Sequence, residues 1–240
     1  METNWVEAIK KPEYGAGGWV GIGTPQANPT VEMEMRRLLP ANVETLTTRL
    51  VSGAKSSDER LIEYLEGLPN SLITFDILPL RAFGFACTGS TYLVGRNREA
   101  EIIAAAERDF GYPIITAAEA VRRCLESFDA KRIALVAPYP KHIVDSAVAH
   151  WEALGIHVTA LRRIDLGSID TRVIYRLGSS DILRALVDFD VGAADVVLVS
   201  GTGVPTISVL APSEQRFGRP VLSSNLCLAQ ALQNVLAQEA

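Results

Sequence analysis

The sequence lacks several features that would assign it to a common class at once. It contains no run of about 18 uninterrupted apolar residues, the length that a membrane-spanning helix needs. Its first 18 residues contain no apolar stretch of the kind found in a secretory signal peptide. We therefore expect a cytoplasmic protein that has no membrane partner.

Cysteine is scarce, and positive charge is not in excess. The three cysteines, Cys87, Cys124 and Cys227, are scattered and form no Cys-x-x-Cys pair, which argues against a disulfide framework and against a zinc site. The chain has 23 Lys and Arg residues against 28 Asp and Glu residues, for a net charge of −5. A mildly acidic protein without a basic stripe is a poor candidate for binding nucleic acid.

Known catalytic and phosphate-binding signatures are absent as well. Neither a GxxxxGK[ST] loop nor a GxGxxG fingerprint stands in the chain, and no G-x-S-x-G nucleophile elbow is present. Hydrophobic residues nevertheless make up 48% of the chain and charged residues 21%, which is typical of a globular protein with an ample core.

Short apolar segments alternate with amphipathic ones along the chain. The apolar segments predict strands, and most of them are apolar or β-branched throughout, as in strands buried on both faces of a parallel sheet. The predicted strands are Trp19–Gly23, Leu46–Val51, Ala82–Ala86, Ile114–Thr116, Arg132–Ala137, Val158–Leu161, Val196–Val199 and Val221–Ser223. The amphipathic segments predict helices, among them Asp58–Gly67, Arg98–Phe110, Ala117–Phe128, Ile143–Leu154, Asp181–Phe189 and Leu226–Ala237. Such alternation is typical of α/β proteins built from βαβ units.

The chain also contains an internal repeat. Gly18–Pro25 and Lys131–Pro138 are both strands that end in a proline, and these prolines, at positions 25 and 138, lie 113 residues apart. A second strand in each half runs into a small-residue loop, in which Cys87 and Gly201 lie 114 residues apart. The repeat predicts two pseudo-symmetric lobes, each a short parallel β-sheet flanked by helices, with the active site between them.

The repeat suggests the following division of the chain. Residues 1–17 are polar and glycine-rich and are expected to form a flexible N-terminal arm. Residues 18–118 are assigned to lobe 1, together with a C-terminal helix at 225–240 that crosses back to it. Residues 119–224 are assigned to lobe 2.

Cys87 is the first candidate for chemistry. It ends an apolar strand and precedes Thr88, Gly89 and Ser90, whose backbone N–H groups can cradle an anion such as a carboxylate. Donors of this kind favour a thiolate, so we expect a lowered pKa and a role as nucleophile or proton carrier. The alternative is a buried cysteine that only fills the core, which is what we expect of Cys124 and Cys227.

Three other loops supply further candidates. The second-lobe loop contains Gly201, Thr202 and Gly203, which form either an anion cradle or a plain tight turn. Tyr139 follows the first strand of lobe 2, where its phenol either donates to a carboxylate or lies on the surface. Asn28 leads into a helix that either it or Thr30 caps, and this role is compatible with ligand binding because a helix N-terminus favours an anion nearby.

Arginines offer a further route to a carboxylate. Arg172 and Arg176 lie between lobe elements and are carboxylate-binding candidates, although exposed arginines of this kind are more often solvated.

These motifs together resemble the aspartate/glutamate racemase superfamily, and within it the maleate isomerase and arylmalonate decarboxylase branch. The resemblance covers residues 18–238 and depends on Asn28-Pro29-Thr30, Ala86-Cys87-Thr88, Pro138-Tyr139 and the second small-residue loop with Pro205. It implies two facing strand-end positions, usually cysteines, on either side of the substrate carbon. Here Cys87 holds the first position and Gly201 the second, which departs from the family pattern.

The resemblance implies a small carboxylate substrate, no metal or organic cofactor, and a homodimer or homotetramer. Racemisation is disfavoured because glycine cannot carry a proton. The favoured hypothesis is a maleate cis–trans isomerase-like enzyme in which Cys87 is the nucleophile and Thr202, Tyr139 or water replaces the missing acid. One alternative is an arylmalonate-type decarboxylase with Cys87 as proton donor. Another, from a different class, is a non-catalytic cytosolic carboxylate-binding protein.

Overall fold

The computed structural model describes residues 13–238, in which eight strands form two parallel four-stranded sheets. The first sheet has the order β2-β1-β3-β4 and the second the order β6-β5-β7-β8. The strands are β1 (Trp19–Pro25), β2 (Glu44–Leu50), β3 (Leu80–Phe85), β4 (Ile114–Thr116), β5 (Arg132–Ala137), β6 (His157–Arg163), β7 (Val196–Val199) and β8 (Val221–Ser223). The second sheet repeats the strand order of the first, so the predicted two-lobed α/β fold is confirmed.

The burial of the strands follows their place in the sheets. The central strands β1 and β5 are buried at every position but the first, because helices cover both of their faces. The edge strand β6 is nowhere buried, and its exposed and half-buried residues alternate. Four of the eight strands have the predicted bounds (β4, β5, β7 and β8), and the others differ by one or two residues at their ends.

Helices separate the strands along the chain. Those in the described residues are α1 (Val31–Leu38), α2 (Ser57–Glu66), α3 (Leu68–Leu72), α4 (Thr88–Val94), α5 (Arg96–Phe110), α6 (Ala117–Ser127), α7 (Lys141–Glu152), α8 (Ser179–Leu186), α9 (Ile207–Phe217) and α10 (Ser224–Gln238). A 3-10 helix over Thr171–Arg176 matters for the site below. Among residues 13–238, no helix has the length and apolar character that crossing a membrane requires.

One predicted loop is wrong in a way that affects the site. The small residues after Cys87 form helix α4, and Cys87 occupies its N-cap with extended backbone (φ −149°, ψ 94°). Glycine and β-branched threonine have low helix propensity, but burial of this whole turn against both lobes overrides that preference. The first-turn N–H groups of a helix lack intrahelical partners, so the expected free donors are still present.

The C-terminal helix links the two halves of the chain. Helix α10 follows β8 of the second sheet, yet it packs against α6 and also contacts α1 and β3 of the first half. We therefore keep the division into 18–118 plus 225–240 and 119–224 as a proposal. Residues 1–12 of the predicted arm and residues 239–240 lie outside the described residues.

Candidate active site

The carboxyl ends of β1, β3, β5 and β7 meet around a small cleft between the two sheets. Its empty volume, which includes space open to solvent, is about 320 Å³. Six of the nine predicted site residues line it: Cys87, Gly89, Tyr139, Gly201, Thr202 and Gly203. The other three, Asn28, Thr88 and Ser90, hydrogen-bond to lining residues. Parallel strands present their carboxyl ends at one edge of a sheet, which is why positions far apart in sequence converge here.

Cys87 is enclosed in this cleft, with only 4% of its surface exposed. Burial raises the pKa of its thiol above the ordinary value. The Ser90 hydroxyl, which donates to Sγ at 3.1 Å, acts in the opposite direction, as do the N–H groups of Ser90 and Gly89 and the charge of Arg60. The predicted lowering of the Cys87 pKa is therefore wrong, because desolvation of the thiolate outweighs these donors. At neutral pH Cys87 is a protonated thiol.

Tyr139 is buried rather than on the surface, with 6% of its area exposed. Its hydroxyl lies 2.7 Å from Thr88 Oγ1, and its ring packs edge-on against Tyr92 with centroids 6.3 Å apart. Burial, followed by the neighbouring Tyr92, raises the pKa of Tyr139 well above its ordinary value. The phenol therefore stays protonated at neutral pH and can donate a hydrogen bond or a proton.

Gly201 faces this tyrosine, and its backbone requires glycine. Its φ is +113°, a conformation that L side chains rarely adopt. A Cβ at this position would stand 3.1 Å from Tyr139 Oη and 3.4 Å from Val204 Cγ2. The Gly201 N–H is already bound by Ser224 Oγ at 3.0 Å, so it is not free for a ligand. The tyrosine hydroxyl thus fills the space that a side chain at position 201 would need.

The Thr202 hydroxyl is also engaged. It donates to the Ala86 carbonyl at 2.7 Å and lies 3.5 Å from Asn28 Nδ2. Its proton is therefore held by the end of strand β3, which leaves Tyr139 as the better placed acid.

Asn28 does not cap α1, whose N-cap is Thr30, but fixes the turn before it. Its Oδ1 accepts from the Thr30 N–H at 2.9 Å at the start of α1, and its amide reaches Thr202 in the other half of the site. Thr30 Oγ1 donates to the Gly203 carbonyl at 3.0 Å. The turn before α1 is thus tied directly to the second small-residue loop.

Glu34 is a buried residue that the sequence did not single out. Its carboxylate accepts from Asn225 Nδ2 at 2.7 Å and from the Ile207 N–H at 3.0 Å, and it also bonds Thr206. A glutamate in the first turn of an amphipathic helix reads as a solvated residue, and only the packing of α1 against the second lobe buries it. Asn225 also donates to the Thr202 carbonyl at 3.0 Å, so this cluster supports the loop at the cleft.

Arg60 on helix α2 was missed as well. Its side chain is 4% exposed and pairs at 3.0 Å with Asp170, the N-cap of the 3-10 helix over Thr171–Arg176. Arg172, which the sequence did single out, is half exposed. Arg60 lies in a helix with several charged residues, so the sequence offers no signal that distinguishes it from a solvated arginine. Within residues 13–238, no group of three or more His, Cys, Asp or Glu side chains is arranged to hold a metal ion.

Curated relatives and solved structures resemble the chain along most of its length. A maleate isomerase from Nocardia farcinica is 22% identical over 85% of this chain and 84% of the relative. The structure of a mutant of the Nocardia farcinica maleate cis-trans isomerase, which holds a covalently bound succinylcysteine intermediate, superposes with a TM-score of 0.81 at 21% identity, covering 92% of this chain and 93% of that one. A liganded double mutant of arylmalonate decarboxylase superposes with a TM-score of 0.79 at 19% identity, covering 93% and 94%.

The family comparison agrees with the resemblance inferred from the motifs. The arylmalonate decarboxylase family model matches residues 81–239, which is more than half of the chain and includes Cys87, Tyr139 and the second small-residue loop. The branch predicted from the motifs is therefore confirmed. The chain belongs to the arylmalonate decarboxylase family.

Proposed function

We propose that this protein is a cofactor-independent cis–trans isomerase of a small unsaturated dicarboxylate, with maleate as the test substrate. One observation carries the proposal. A buried thiol, Cys87, and a buried phenol, Tyr139, line the same cleft between the two sheets. The maleate isomerase relative and the neighbouring structure with a succinylcysteine intermediate support the same chemistry.

The reaction needs one sulfur and one proton. The Cys87 thiol first gives its proton to solvent; the thiolate then bonds to one alkene carbon while the other carbon takes a proton from Tyr139, which becomes a phenolate. The product is a succinyl group on sulfur, whose central C–C bond is single and free to rotate. Loss of the same proton and departure of sulfur re-form the double bond in the trans geometry, with no net consumption of protons.

The negative charge that develops on the substrate carboxylates needs donors. We assign this role to the first-turn N–H groups of Thr88, Gly89 and Ser90 on one side. On the other side we assign it to the N–H groups of Thr202 and Gly203, because the Gly201 N–H is bound to Ser224. Asn28, which is tied to both Thr30 and Thr202, is proposed to position this second set of donors and to contact the substrate.

A decarboxylase is the second candidate, and the raised pKa of Cys87 favours it. Here the bond between the α carbon of a substituted malonate and one carboxylate breaks, and CO2 leaves. The electron pair stays on the enediolate and then takes the proton of the Cys87 thiol, which the solvent later restores. A thiol that is protonated at neutral pH is suited to this donor role.

One pair of incubations in D2O distinguishes the two candidates. The protein is mixed separately with maleate and with phenylmalonate, and products are followed by proton NMR and by release of CO2. We expect fumarate from maleate. Release of CO2 from phenylmalonate without fumarate would favour the decarboxylase. Absence of both products, in a preparation that unfolds cooperatively on heating, would reject both enzymes in favour of the carboxylate-binding hypothesis.

The assembly and location of the protein belong to the same proposal. We expect a homodimer or homotetramer in the cytoplasm. Size-exclusion chromatography with light scattering tests the first expectation, and a monomer at micromolar concentration would contradict it.

A further inference from the structure

We propose that Arg60, Asp170 and Arg172 form a charged closure over the cleft, and that Arg60 binds the second carboxylate of a dicarboxylate substrate. The inference deepens the proposed function and rests on it for the identity of the substrate. We call these three residues the carboxylate latch. Arg60 is on α2 in the first half of the chain, whereas Asp170 and Arg172 lie at the start of the 3-10 helix over Thr171–Arg176 in the second half.

The latch joins the two halves of the molecule at the cleft. Arg60 Nη2 donates to Asp170 Oδ1 at 3.0 Å and to Ser57 Oγ at 2.8 Å. The chain neighbours of these ion-pair partners, Leu61 and Thr171, both line the cleft. Arg60 Nη2 also lies 3.4 Å from Oγ1 of Thr171, so the ion pair is directly beside the cleft that Cys87 lines.

The Arg60 guanidinium has more N–H donors than its hydrogen bonds to the described residues use. All of its hydrogen bonds to the described part of the chain involve Nη2, and the groups on Nε and Nη1 bond to no protein atom there. A guanidinium carries five N–H donors in a planar fork that matches a carboxylate. Arg60 is thus fixed at one nitrogen while most of its donors are available to an anion.

The charges of the latch do not cancel. Asp170 also accepts from Arg172, whose Nε and Nη2 lie 2.9 Å and 2.6 Å from Oδ2. One carboxylate is therefore shared by two guanidinium groups, which leaves the latch with one positive charge. The residues that line the cleft are uncharged, and Arg60 adjoins them through Leu61, the next residue in the chain, and through Thr171 Oγ1. Arg60 is buried and shares the Asp170 carboxylate with Arg172, so an entering carboxylate would add to the compensation of its charge.

The latch also acts on the reacting end of the cleft. Burial raises the pKa of Cys87 and of Tyr175, and the charge of Arg60 lowers both. Arg60 therefore acts electrostatically on two residues that line the cleft. With one carboxylate in the backbone cradle beside Cys87 and the other on Arg60, a dicarboxylate spans the cleft, whereas a monocarboxylate leaves Arg60 uncompensated.

Protection of Cys87 from alkylation tests the latch without using turnover. The protein is treated with iodoacetamide at several concentrations of succinate or butyrate, and labelling of the Cys87 peptide is measured by mass spectrometry. In Arg60→Gln we expect the succinate concentration that protects half of Cys87 to rise by about tenfold or more, because a charge-assisted hydrogen bond is lost. Protection by butyrate should change less than about twofold. Arg60→Lys, which keeps the charge, should recover part of the succinate effect.

Asp170→Asn provides an independent test if Arg60→Gln folds poorly. It removes the carboxylate that competes for Arg60, so succinate should protect Cys87 at lower concentration than in the parent protein. Arg132→Gln is the matched control, because it breaks an ion pair with Asp195 (2.6 Å) outside the cleft and should change neither ligand's protection.

Two results would overturn the proposal. One is an equal loss of protection by succinate and by butyrate in Arg60→Gln, which indicates a structural role only. The other is unchanged or weaker protection by succinate in Asp170→Asn. Because protection needs no turnover, a failure of the proposed isomerase activity would leave this measurement intact, and the two failures are distinguishable.

Discussion

The carboxyl ends of β3 and β7 occupy equivalent places in two sheets of the same strand order, yet they carry different groups. Cys87 stands two residues after Phe85, the last residue of β3, and the chain turns at once into helix α4. After β7 it continues through Gly201, where a φ of +113° and the approach of Tyr139 Oη to within 3.1 Å of an added Cβ disfavour a side chain. The repeat has kept the backbone plan while the two half-sites have become chemically distinct.

The residues that follow β1 and β5 also differ, but here it is lobe 2 that carries the functional group. Position 26, which follows Pro25, is an exposed glutamine whose Oε1 accepts from the Ser52 N–H at 2.9 Å. Position 139, which follows Pro138, is the buried tyrosine of the cleft. Lobe 1 thus contributes a thiol from its β3 end, and lobe 2 a phenol from its β5 end. Gly201 itself carries no functional group. The group on this side of the cleft is the phenol of Tyr139, which follows the neighbouring strand β5.

Removal of the lobe 1 thiol should have the largest effect. We expect Cys87→Ala to lower kcat/KM by a factor on the order of 10²–10⁴, because no other group in the cleft can take its place. Cys124→Ala is the control, since Cys124 bonds Gln230 rather than a residue of the cleft. Activity of Cys87→Ala equal to that of the parent protein would mean that the two half-sites do not differ as described.

The pH dependence of activity shows which state of the thiol reacts. Because burial raises the Cys87 pKa, a nucleophilic thiolate becomes more abundant as pH rises, by about tenfold per unit below that pKa. An isomerase should therefore still gain kcat/KM between pH 7 and pH 9. A thiol that donates its proton predicts a flat profile over this range and a decline only at higher pH. Thermal unfolding at each pH is the control for loss of folded protein.

Loss of the lobe 2 phenol should have a smaller effect. We expect Tyr139→Phe to lower kcat by about 10–10²-fold, which is the loss expected when one hydrogen bond to a developing charge is removed. The change in KM should be smaller. Thr88→Val removes the hydroxyl that lies 2.7 Å from Tyr139 but keeps the phenol, so it should cost less. If Tyr139→Phe changes KM alone, the phenol only binds substrate.

The smallest expected effect concerns the backbone at Gly201. Gly201→Ala should lower stability by about 1–3 kcal/mol, which for a chain of this size lowers Tm by roughly 2–4 °C per kcal/mol. Gly218→Ala is the matched control, because Gly218 also has positive φ (+62°) but a Cβ there would meet nothing within 4 Å. Gly201→Ala should therefore cost more than Gly218→Ala, and the difference should shrink in a Tyr139→Phe background. Equal costs would show that Tyr139 does not restrict position 201.

Much of this arrangement could be predicted from the sequence. Apolar runs of three to six residues identified all eight strands, because strands buried on both faces tolerate few polar residues. The spacing of 113 and 114 residues in the sequence alone places Cys87 opposite Gly201. The predicted residues converge because the carboxyl ends of parallel strands share an edge.

Other features depend on contacts between distant segments. Sequence favours a loop after Cys87, and only burial between the lobes makes it helix α4. The direction in which the Cys87 pKa shifts depends on how completely the cleft excludes water. A prediction from the local donors alone therefore gave a lowered pKa, whereas burial raises it. Glu34 and Arg60 read as solvated side chains because their partners, among them Asn225 and Asp170, lie far away along the chain.

The sequence by itself determined the two-lobed α/β plan, the repeat, and the single thiol at the β3 end, because periodicity and strand-end position are local properties. Only the tertiary structure decided that Tyr139 Oη lies close to Gly201, that Cys87 is protonated, and that Arg60 pairs with Asp170 beside the cleft. These three depend on desolvation and on packing across the lobes, and residues distant along the chain set both.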